Sequence, residues 1–399
     1  MSDAPRTGSV GEVFLAALRL GLTSFGGPVA HIGYFRREYV DRRRWLDDAE
    51  FGEYLALSQS LPGPASSQLG IAIGTRRAGI PGGAAAWLGF TLPSAALLVA
   101  FALVASATDV ASAGWVHGLK LAAVAIVAQA VWVLARSLAP DWSRKAIAVG
   151  GFLVALVWVD PAAQVAIIAA GAAIGLLALN APPSGRETHL PSSTSRVAAV
   201  GALAVFAVLL ALTPLARAPG VEPSISMTAA IYRAGALVFG GGHVVLPLLH
   251  AGVVDPGWVS ENQFLAGYGA AQAVPGPLFS FAAYLGAIGT PLGGIGGAIV
   301  ALLAIYLPSF LLLLGVLPFW AGLRESPAFR RALTGVNAAV VGLLAAALYR
   351  PVWTGAVDSS PDLAVVAVAL AALVVGRLPP IVVVVGCAVA GQSLAALGG

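Results

Sequence analysis

The feature that most constrains this sequence is a succession of long apolar stretches. They recur at 84–104, 119–134, 197–212, 295–317 and 363–375. A helix that crosses a bilayer needs about 20 predominantly apolar residues. Only 10% of the 399 residues are charged and 58% are hydrophobic, whereas a soluble domain carries about a quarter charged residues. The sequence therefore predicts an all-α integral membrane protein that crosses the bilayer several times.

Glycine and proline interrupt these apolar stretches. The chain has 48 Gly and 26 Pro, and many of them lie inside the hydrophobic segments. Lipid tolerates a broken helix only where the freed backbone groups are buried in protein or face a wet cavity. We therefore expect helices that are broken inside the protein.

The sequence contains an internal repeat, seen as four matched blocks in the same order. RLGLTSFGGPV is matched by RAGALVFGGGH, WLDDAEF by WVSENQF, SQSLPGP by AQAVPGP, and TLPSAALL by YLPSFLLL. The paired positions are 19–29 with 233–243, 45–51 with 258–264, 58–64 with 271–277, and 91–98 with 306–313. We predict a duplication with halves 1–195 and 196–399, joined by a polar linker at 181–196.

The distribution of charge predicts that the two halves have opposite orientations. Segment 34–45 is rich in arginine, and Arg76 and Arg77 follow the second matched motif. The equivalent segments 250–262 and 286–294 contain no Lys or Arg. Cytoplasmic loops carry the excess of positive charge, so the first pair is expected inside and the second outside. Inverted repeats are typical of transporters, whose substrate sites lie near the midplane of the bilayer.

The same charges predict re-entrant hairpins. Segment 46–75 has basic sequence on both sides and is too short to cross twice, and segment 10–40 is expected to turn back in the same way. Five crossings then lie between the breaks of the first half and those of the second, at about 82–107, 115–135, 146–159, 161–179 and 197–213. Arg217 and Arg350 are exceptions to the resulting charge rule.

Each half has two glycine and proline breaks that suit anion binding. Pro28, Pro64 and Pro277 can each open a new helix directly after a glycine. A helix N-terminus presents unpaired N–H groups and a partial positive charge, so it binds an anion without a basic side chain. Hydroxyl and amide donors near the breaks are expected to assist: Ser66, Ser67, Ser280, Gln59 and Gln272. The alternative for a single break is a kink or a tight packing contact.

Two pairs of basic side chains are further candidates for substrate binding. Arg19 and Arg233 are equivalent in the repeat and surrounded by apolar residues. A charge inside a membrane segment is by default a functional hypothesis, and the alternative is snorkelling to the interface. His31 and His243 follow the breaks and can donate to an anion or titrate, although packing explains them equally well.

Several classes of function are excluded or disfavoured by what is absent. The chain has no GxxxxGK[ST] motif, so we expect a carrier driven by a gradient or by the membrane potential. Its one cysteine, Cys387, rules out a disulfide within the chain and a multi-thiolate metal site. We predict no catalytic residue, metal or cofactor. Glu53 and Glu38 are the only acids considered for proton coupling.

The motifs resemble those of the chromate ion transporter family, in its long two-domain form. The resemblance covers the whole chain and is carried by FGGPVAHIGYFRREYV, SQSLPGPASSQLGIAIG, FGGGHVVLPLL and AQAVPGPLFSFAAYLG. It implies export of chromate, with sulfate as a close mimic, and resistance to chromate. The residues that match the family motifs are Phe25, Gly26, Gly27, Pro28, Gln59, Pro62, Gly63 and Pro64, with Phe239, Gly240, Gly241, Gln272, Pro275, Gly276 and Pro277. The second half departs from the pattern at Gly242, which replaces the proline of the first half.

The predicted function is therefore secondary transport of chromate out of the cell across a bacterial-type cytoplasmic membrane. The expected partners are a chromate-like or sulfate-like dianion and the membrane lipids, without nucleic acid; a homodimer is compatible with the architecture. A carrier of sulfate or another oxyanion shares every feature above. A passive anion channel is a further alternative, which is distinguished by whether the flux saturates and can run against a gradient. A membrane-embedded enzyme acting on a lipid phosphate would need a nucleophile or base that the apolar segments do not offer.

Overall fold

The computed structural model describes residues 8–107, 113–158, 160–182, 190 and 194–398. Most of the linker predicted at 181–196 lies outside these residues. The described residues form helices joined by short turns, and five helical segments are long and apolar enough to cross a membrane: 65–105, 114–138, 196–217, 294–325 and 327–353. The prediction of an all-α, multi-pass membrane protein is confirmed.

The first half supplies seven helices within the described residues. They are α1 (Val10–Thr23), α2 (Gly27–Arg36), α3 (Asp48–Ser60), α4 (Ala65–Ala107), α5 (Gly114–Leu138), α6 (Trp142–Val157) and α7 (Pro161–Ala178). A π-helical turn, Arg37–Arg42, extends α2. The predicted crossings at 115–135, 146–159 and 161–179 match α5, α6 and α7 to within a few residues.

The second half begins with α8 (Arg196–Leu212) and α9 (Pro223–Leu237). The helices that follow are α10 (Val245–Val253), α11 (Glu261–Ala273), α12 (Phe281–Ile288), α13 (Gly294–Val316), α14 (Trp320–Glu325), α15 (Pro327–Ala347), α16 (Ser360–Val374) and α17 (Pro380–Gly398). Short 3-10 turns precede α10 and α12, at Gly242–Val244 and Leu278–Ser280.

Local sequence begins α3 and α11 in the same way. Asp47 caps α3 and accepts from the backbone N–H of Glu50, whose side chain reaches back to the cap. Ser260 and Gln263 form the same reciprocal capping box at the start of α11. A capping box satisfies two backbone donors that the first helical turn leaves free. The two boxes lie 213 residues apart, at equivalent positions of the sequence repeat.

In the first half, the helical segments on either side of each break return to the same place. Glu12 at the start of α1 pairs with Arg43, which follows α2, at 3.7 Å, and with Arg77 at 3.2 Å. Glu50 at the start of α3 pairs with Arg76 at 2.5 Å. We call this group of ion pairs the arginine end.

The second half returns on itself in the same manner. His250 near the end of α10 contacts Glu261, the first residue of α11, at 2.8 Å, and Asp255 at 3.4 Å. The Tyr284 hydroxyl near the end of α12 donates to the Gln263 carbonyl at 2.9 Å. We call the group His250, Asp255 and Glu261 the histidine end.

The helices α4 and α13 run between these two ends. An interruption at Ala78 and Gly79, where Gly79 has φ 66°, divides α4 just after the arginine pair. The predicted loop at Arg76 and Arg77 is thus only a kink between two helical segments. Further along α4, Phe101 stacks on Tyr284 with 5.6 Å between ring centroids. The α13–α14 segment ends beside α3, where the Trp320 indole donates to Glu53 at 3.1 Å.

The halves also exchange packing partners. Helix α5 packs on α16 and α17, and α15 packs on α6 and α7. Small residues permit both contacts, as is common between membrane helices. A Cβ added to Gly118 would lie 2.1 Å from the Cys387 carbonyl oxygen, and one added to Gly335 would lie 2.0 Å from that of Gly171. Each half therefore packs a central helix against the last pair of helices of the other half.

Candidate substrate site

All four predicted breaks are present, and each contains glycine in the left-handed region of φ. The values are 97° and 77° for Gly26 and Gly27, 128° for Gly63, 80° and 134° for Gly240 and Gly241, and 103° for Gly276. Side chains other than glycine rarely adopt these angles. The motifs in the sequence are therefore explained by backbone geometry at each interruption.

The prolines lie close to their predicted positions. Pro28 is in the first turn of α2. Pro64 and Pro277 occupy the residue directly before a helical turn, one position earlier than predicted, because α4 begins at Ala65 and the 3-10 turn at Leu278. Helix N-termini therefore follow two of the breaks directly, at α2 and α4, and short 3-10 turns at Gly242 and Leu278 lead from the other two breaks into α10 and α12.

Reciprocal backbone hydrogen bonds join the breaks of the two halves. The Gly63 N–H donates to the Val238 carbonyl at 2.7 Å, and the Gly276 N–H donates to the Ser24 carbonyl at 2.9 Å. Gly63 is equivalent to Gly276 and Ser24 to Val238, at offsets of 213 and 214 residues. The Pro-Gly-Pro break of each half is thus bonded to the residue before Phe-Gly-Gly in the other half.

Serines of the two long helices complete this contact. A Cβ on Gly63 would lie 2.6 Å from Ser309 Oγ, and one on Gly276 would lie 2.9 Å from Ser94 Oγ. Ser94 and Ser309 belong to the repeated TLPS and YLPS blocks. Ser94 Oγ is 2.6 Å from Ser280 Oγ, and Gln68 Nε2 donates to the Pro62 carbonyl at 2.7 Å.

A small cavity lies where these segments meet. Gly26, Gly27, His243, Gln272 and Gly276 are among its lining residues, and its volume is about 20 Å³. That volume holds about one water molecule. His243 Nδ1 lies 2.8 Å from the Tyr268 hydroxyl, and Gln272 Nε2 is buried without a hydrogen-bond partner among the described residues. In this conformation the cavity is too small for a tetrahedral oxyanion.

The predicted basic residues are placed differently from one another. Arg233 is buried, with one guanidinium nitrogen lacking a partner in the described part of the chain. Arg19 is exposed on α1, and neither arginine is among the residues that line the small cavity. The equivalence expected between Arg19 and Arg233 therefore does not extend to their surroundings.

The other predicted donors also divide into buried and exposed groups. His31 is buried, with Nδ1 3.3 Å from Ser66 Oγ and its ring edge-on to Phe90. Ser67 and Ser280 are fully buried. Gln59 is exposed, unlike its equivalent Gln272 at the cavity. Phe25, Phe239 and Gly242 lie at their breaks, and Pro62 and Pro275 are buried.

Both candidate acids for coupling are engaged in ion pairs. Glu38 pairs with Arg43 at 2.6 Å and with Arg42 at 3.1 Å. Glu53 is buried and binds Arg324 as well as the Trp320 indole. Glu53 therefore joins α3 of the first half to α14 of the second.

Ser94 and Ser309 lie beside the breaks, and neither they nor Thr91 and Tyr306 are among the candidates singled out from the sequence. These residues lie within the repeated TLPS and YLPS blocks, so the signal was present in the sequence. Packing inside an apolar helix explains a Pro-Ser pair equally well, so the repeat alone does not distinguish the two roles.

Comparison with known proteins assigns the family. The family model described as Chromate transporter matches residues 11–176 and 225–392, more than half of the chain. The chain belongs to the chromate transporter family. This membership makes it a transporter and not an enzyme.

Named relatives cover most of the chain. It is 32% identical to the chromate transport protein of Pseudomonas aeruginosa over 340 residues, 84% of this chain and 79% of that protein. It is 30% identical to the chromate transport protein of Cupriavidus metallidurans, over 84% of this chain and 81% of that protein. An uncharacterised transporter of Methanocaldococcus jannaschii is 26% identical over 85% of this chain and 83% of its own length. No solved structure matches the chain.

Proposed function

We propose that this family member is a secondary carrier that exports chromate from the cytoplasm through a site formed where the four breaks meet. The observation that supports this most directly is the reciprocal pair of hydrogen bonds, Gly63 to Val238 and Gly276 to Ser24. It brings helix N-termini from both halves to one place, where their partial positive charges add. The names of the relatives in Pseudomonas aeruginosa and Cupriavidus metallidurans support chromate as the substrate.

The carrier is built, in this proposal, from two inverted repeats with domains 1–195 and 196–399. Two matched family segments of similar length support a duplication. Support for inversion comes from the part of α4 after the interruption at Gly79, which starts beside the arginine end and reaches Tyr284 of the second half at Phe101. The segment α13–α14 runs the other way, from α12 to Glu53 of the first half. One pair of broken helices thus has its outer ends at the arginine end and the other pair at the histidine end. Carriers built from inverted repeats with discontinuous helices have this arrangement.

The arginine end faces the cytoplasm in this proposal, because positive charge marks cytoplasmic segments. The histidine end then faces outward across a bacterial-type inner membrane. Arg350, an exception to the charge rule, lines a cavity of about 360 Å³ at the histidine end. Asp160, Asp255 and Glu261 line the same cavity, so carboxylates offset the charge of Arg350.

Transport requires the tips of the broken helices to separate. The cavity of about 20 Å³ admits a water molecule but not the substrate, which makes this conformation an occluded one. Alternating access requires that the contacts between the halves open toward the arginine end and toward the histidine end in turn, and never toward both ends at once. Glu53 is our candidate for proton coupling, because its ion pair with Arg324 joins the halves and protonation would break it.

The decisive experiment is chromate uptake into inverted membrane vesicles or proteoliposomes, with sulfate, phosphate and molybdate as competitors. Saturable accumulation of chromate that sulfate inhibits is the expected result. Transport of sulfate without chromate would keep the mechanism and change the substrate. Flux that neither saturates nor runs uphill would identify a passive channel, and the absence of any oxyanion flux from folded protein would overturn the proposal.

A further inference from the structure

Four hydroxyl side chains converge at the centre of the protein, between the two Pro-Gly-Pro breaks. Ser67 lies in the first turn of α4, and Ser280 directly precedes α12. Thr91 belongs to α4 and Tyr306 to α13. The Tyr306 ring packs against Trp87, one turn before Thr91, and against Phe279, next to Ser280, with 5.6 and 6.0 Å between ring centroids. All four residues are at most 2% exposed. We call them the central hydroxyl cluster.

The cluster follows the sequence repeat. Ser67 and Ser280 are 213 residues apart, and Thr91 and Tyr306 are 215 apart, as in the other matched blocks. Each half therefore contributes one serine from the start of a broken helix and one hydroxyl from a long helix. The two halves surround the same point with equivalent groups.

Three of the four hydroxyls have unused hydrogen-bonding capacity. The oxygens of Ser67, Thr91 and Tyr306 make no hydrogen bond of normal distance and angle among the described residues, although the Tyr306 hydroxyl faces the other three hydroxyls. Ser280 is bonded to Ser94 at 2.6 Å. Leaving a buried hydroxyl unpaired destabilises the folded protein, whereas an apolar residue of the same shape avoids that cost. Valine and phenylalanine would fill the same space at positions 91 and 306. Packing alone therefore does not explain these hydroxyls.

The electrostatic surroundings favour an anion over a cation. The helix starts at Ala65 and Phe281 direct their positive ends toward the cluster. No Asp or Glu lies within ten residues of any member along the sequence. Hydroxyls that donate to no other group are free to donate to an anion, and hydrogen bonds to a charged group are stronger than neutral ones.

We propose that the central hydroxyl cluster is an inner binding site at which a tetrahedral oxyanion is held by donors from both halves during transport. The proposal rests on the proposed function and adds Thr91 and Tyr306 as residues that determine affinity and selectivity. In the occluded state the hydroxyls lie against one another. When the broken helices move apart, the anion enters between the hydroxyls of the cluster. These hydroxyls then donate hydrogen bonds to the anion.

The test compares Tyr306→Phe, Thr91→Val and their combination with the unaltered protein. Both substitutions remove a hydroxyl and nearly preserve side-chain volume. Tyr284→Phe is the matched control, because it deletes a buried tyrosine hydroxyl that donates to the Gln263 carbonyl outside the cluster. Binding of chromate and of sulfate to purified protein, the KM for uptake and the thermal unfolding temperature are measured for each variant.

Each single variant in the cluster is expected to weaken oxyanion binding and raise the KM about tenfold or more, as expected for hydrogen bonds to a charge of about 1.5–3 kcal/mol each. The unfolding temperature should stay the same or rise, since an unpaired hydroxyl is removed. Tyr284→Phe should lower the unfolding temperature and leave binding unchanged.

The outcomes separate this inference from the proposed function. If the unaltered protein transports chromate or sulfate, and both cluster variants keep its affinity and KM, the inner site is wrong and the proposed function stands. If the unaltered, folded protein neither binds nor transports an oxyanion, both are wrong.

Discussion

At the residue scale, the glycines of the Pro-Gly-Pro breaks carry two separate constraints. Gly276 has φ 103° and its N–H is bonded to Ser24 of the other half. A side chain at this position would also meet Ser94. The same holds for Gly63 with Val238 and Ser309. Backbone conformation and contact between the halves thus depend on the same atoms.

We predict that Gly63→Ala and Gly276→Ala will each destabilise the folded protein by about 1–3 kcal/mol, because alanine is strained at positive φ. Transport should fall with them. Thermal unfolding in detergent and chromate uptake measure the two effects. Gly150→Ala in α6 is the control, since a Cβ there meets no atom within 4 Å. Equal behaviour of the three variants would contradict the role assigned to the breaks.

Arg19 and Arg233 are equivalent in the sequence repeat, but their different surroundings predict different effects of substitution on transport. Arg233 is buried, and one of its nitrogens has no partner among the residues that the structure describes, whereas Arg19 is exposed. Arg233→Gln should lower the rate of transport at least tenfold, whereas Arg19→Gln should change it less than twofold. Uptake assays with matched amounts of inserted protein test this. A loss of transport in both variants would contradict this expectation and support equivalent roles for the two arginines, as the sequence repeat predicts.

At the element scale, the two ends of the molecule use different chemistry to hold their helices together. Guanidinium groups join the helices of the arginine end, and they stay charged at any physiological pH. An imidazole, His250, joins α10 to α11 at the histidine end. His250 lies outside the five long apolar segments and faces Asp255, Glu261, Asp160 and Arg350.

The histidine end should be sensitive to pH. Burial lowers the pKa of His250, but its hydrogen bonds and charge interactions with Asp255 and Glu261 outweigh this and raise the pKa from 6.5 to about 9. A raised pKa gives stability that is complete below about pH 6.5 and is lost as the pH rises through about 9. We expect the unfolding temperature to fall on the order of 5 °C between pH 7 and pH 9.5.

The control is His250→Gln, which keeps a polar side chain but cannot be protonated. Its unfolding temperature should be lower than that of the unaltered protein at pH 7 and should change little up to pH 9.5. The same pH-dependent fall in both proteins would assign the effect to other groups.

The elements also show how far the sequence determines the structure. The four breaks, the helix bounds of α5 to α8 and the matched capping boxes follow from local rules for glycine, proline and caps. The pairing of Gly63 with Val238 and of α5 with α17 could not be predicted, because it depends on how two halves meet in space. Gln59 and Arg19 show the same limit, since equivalent positions in sequence have different neighbours after folding.

At the scale of the whole molecule, the proposed inversion can be tested by labelling. In a Cys387→Ser background, Asp48→Cys at the arginine end and Pro256→Cys near the histidine end are both exposed positions. A thiol reagent that does not cross membranes should label position 256 from outside intact cells and position 48 only after permeabilisation. Labelling of both positions from one side would contradict inverted repeats.

The exchange of packing partners between halves has a consequence for biosynthesis. Helices α6 and α7 are synthesised before α15, the helix on which both pack, so their glycine face stays open to lipid until the second half is inserted. The first half therefore cannot complete its folding while the ribosome is still translating the second. The same contacts would let two separately encoded halves assemble after insertion, because no peptide bond is needed where α5 meets α17 or α15 meets α7.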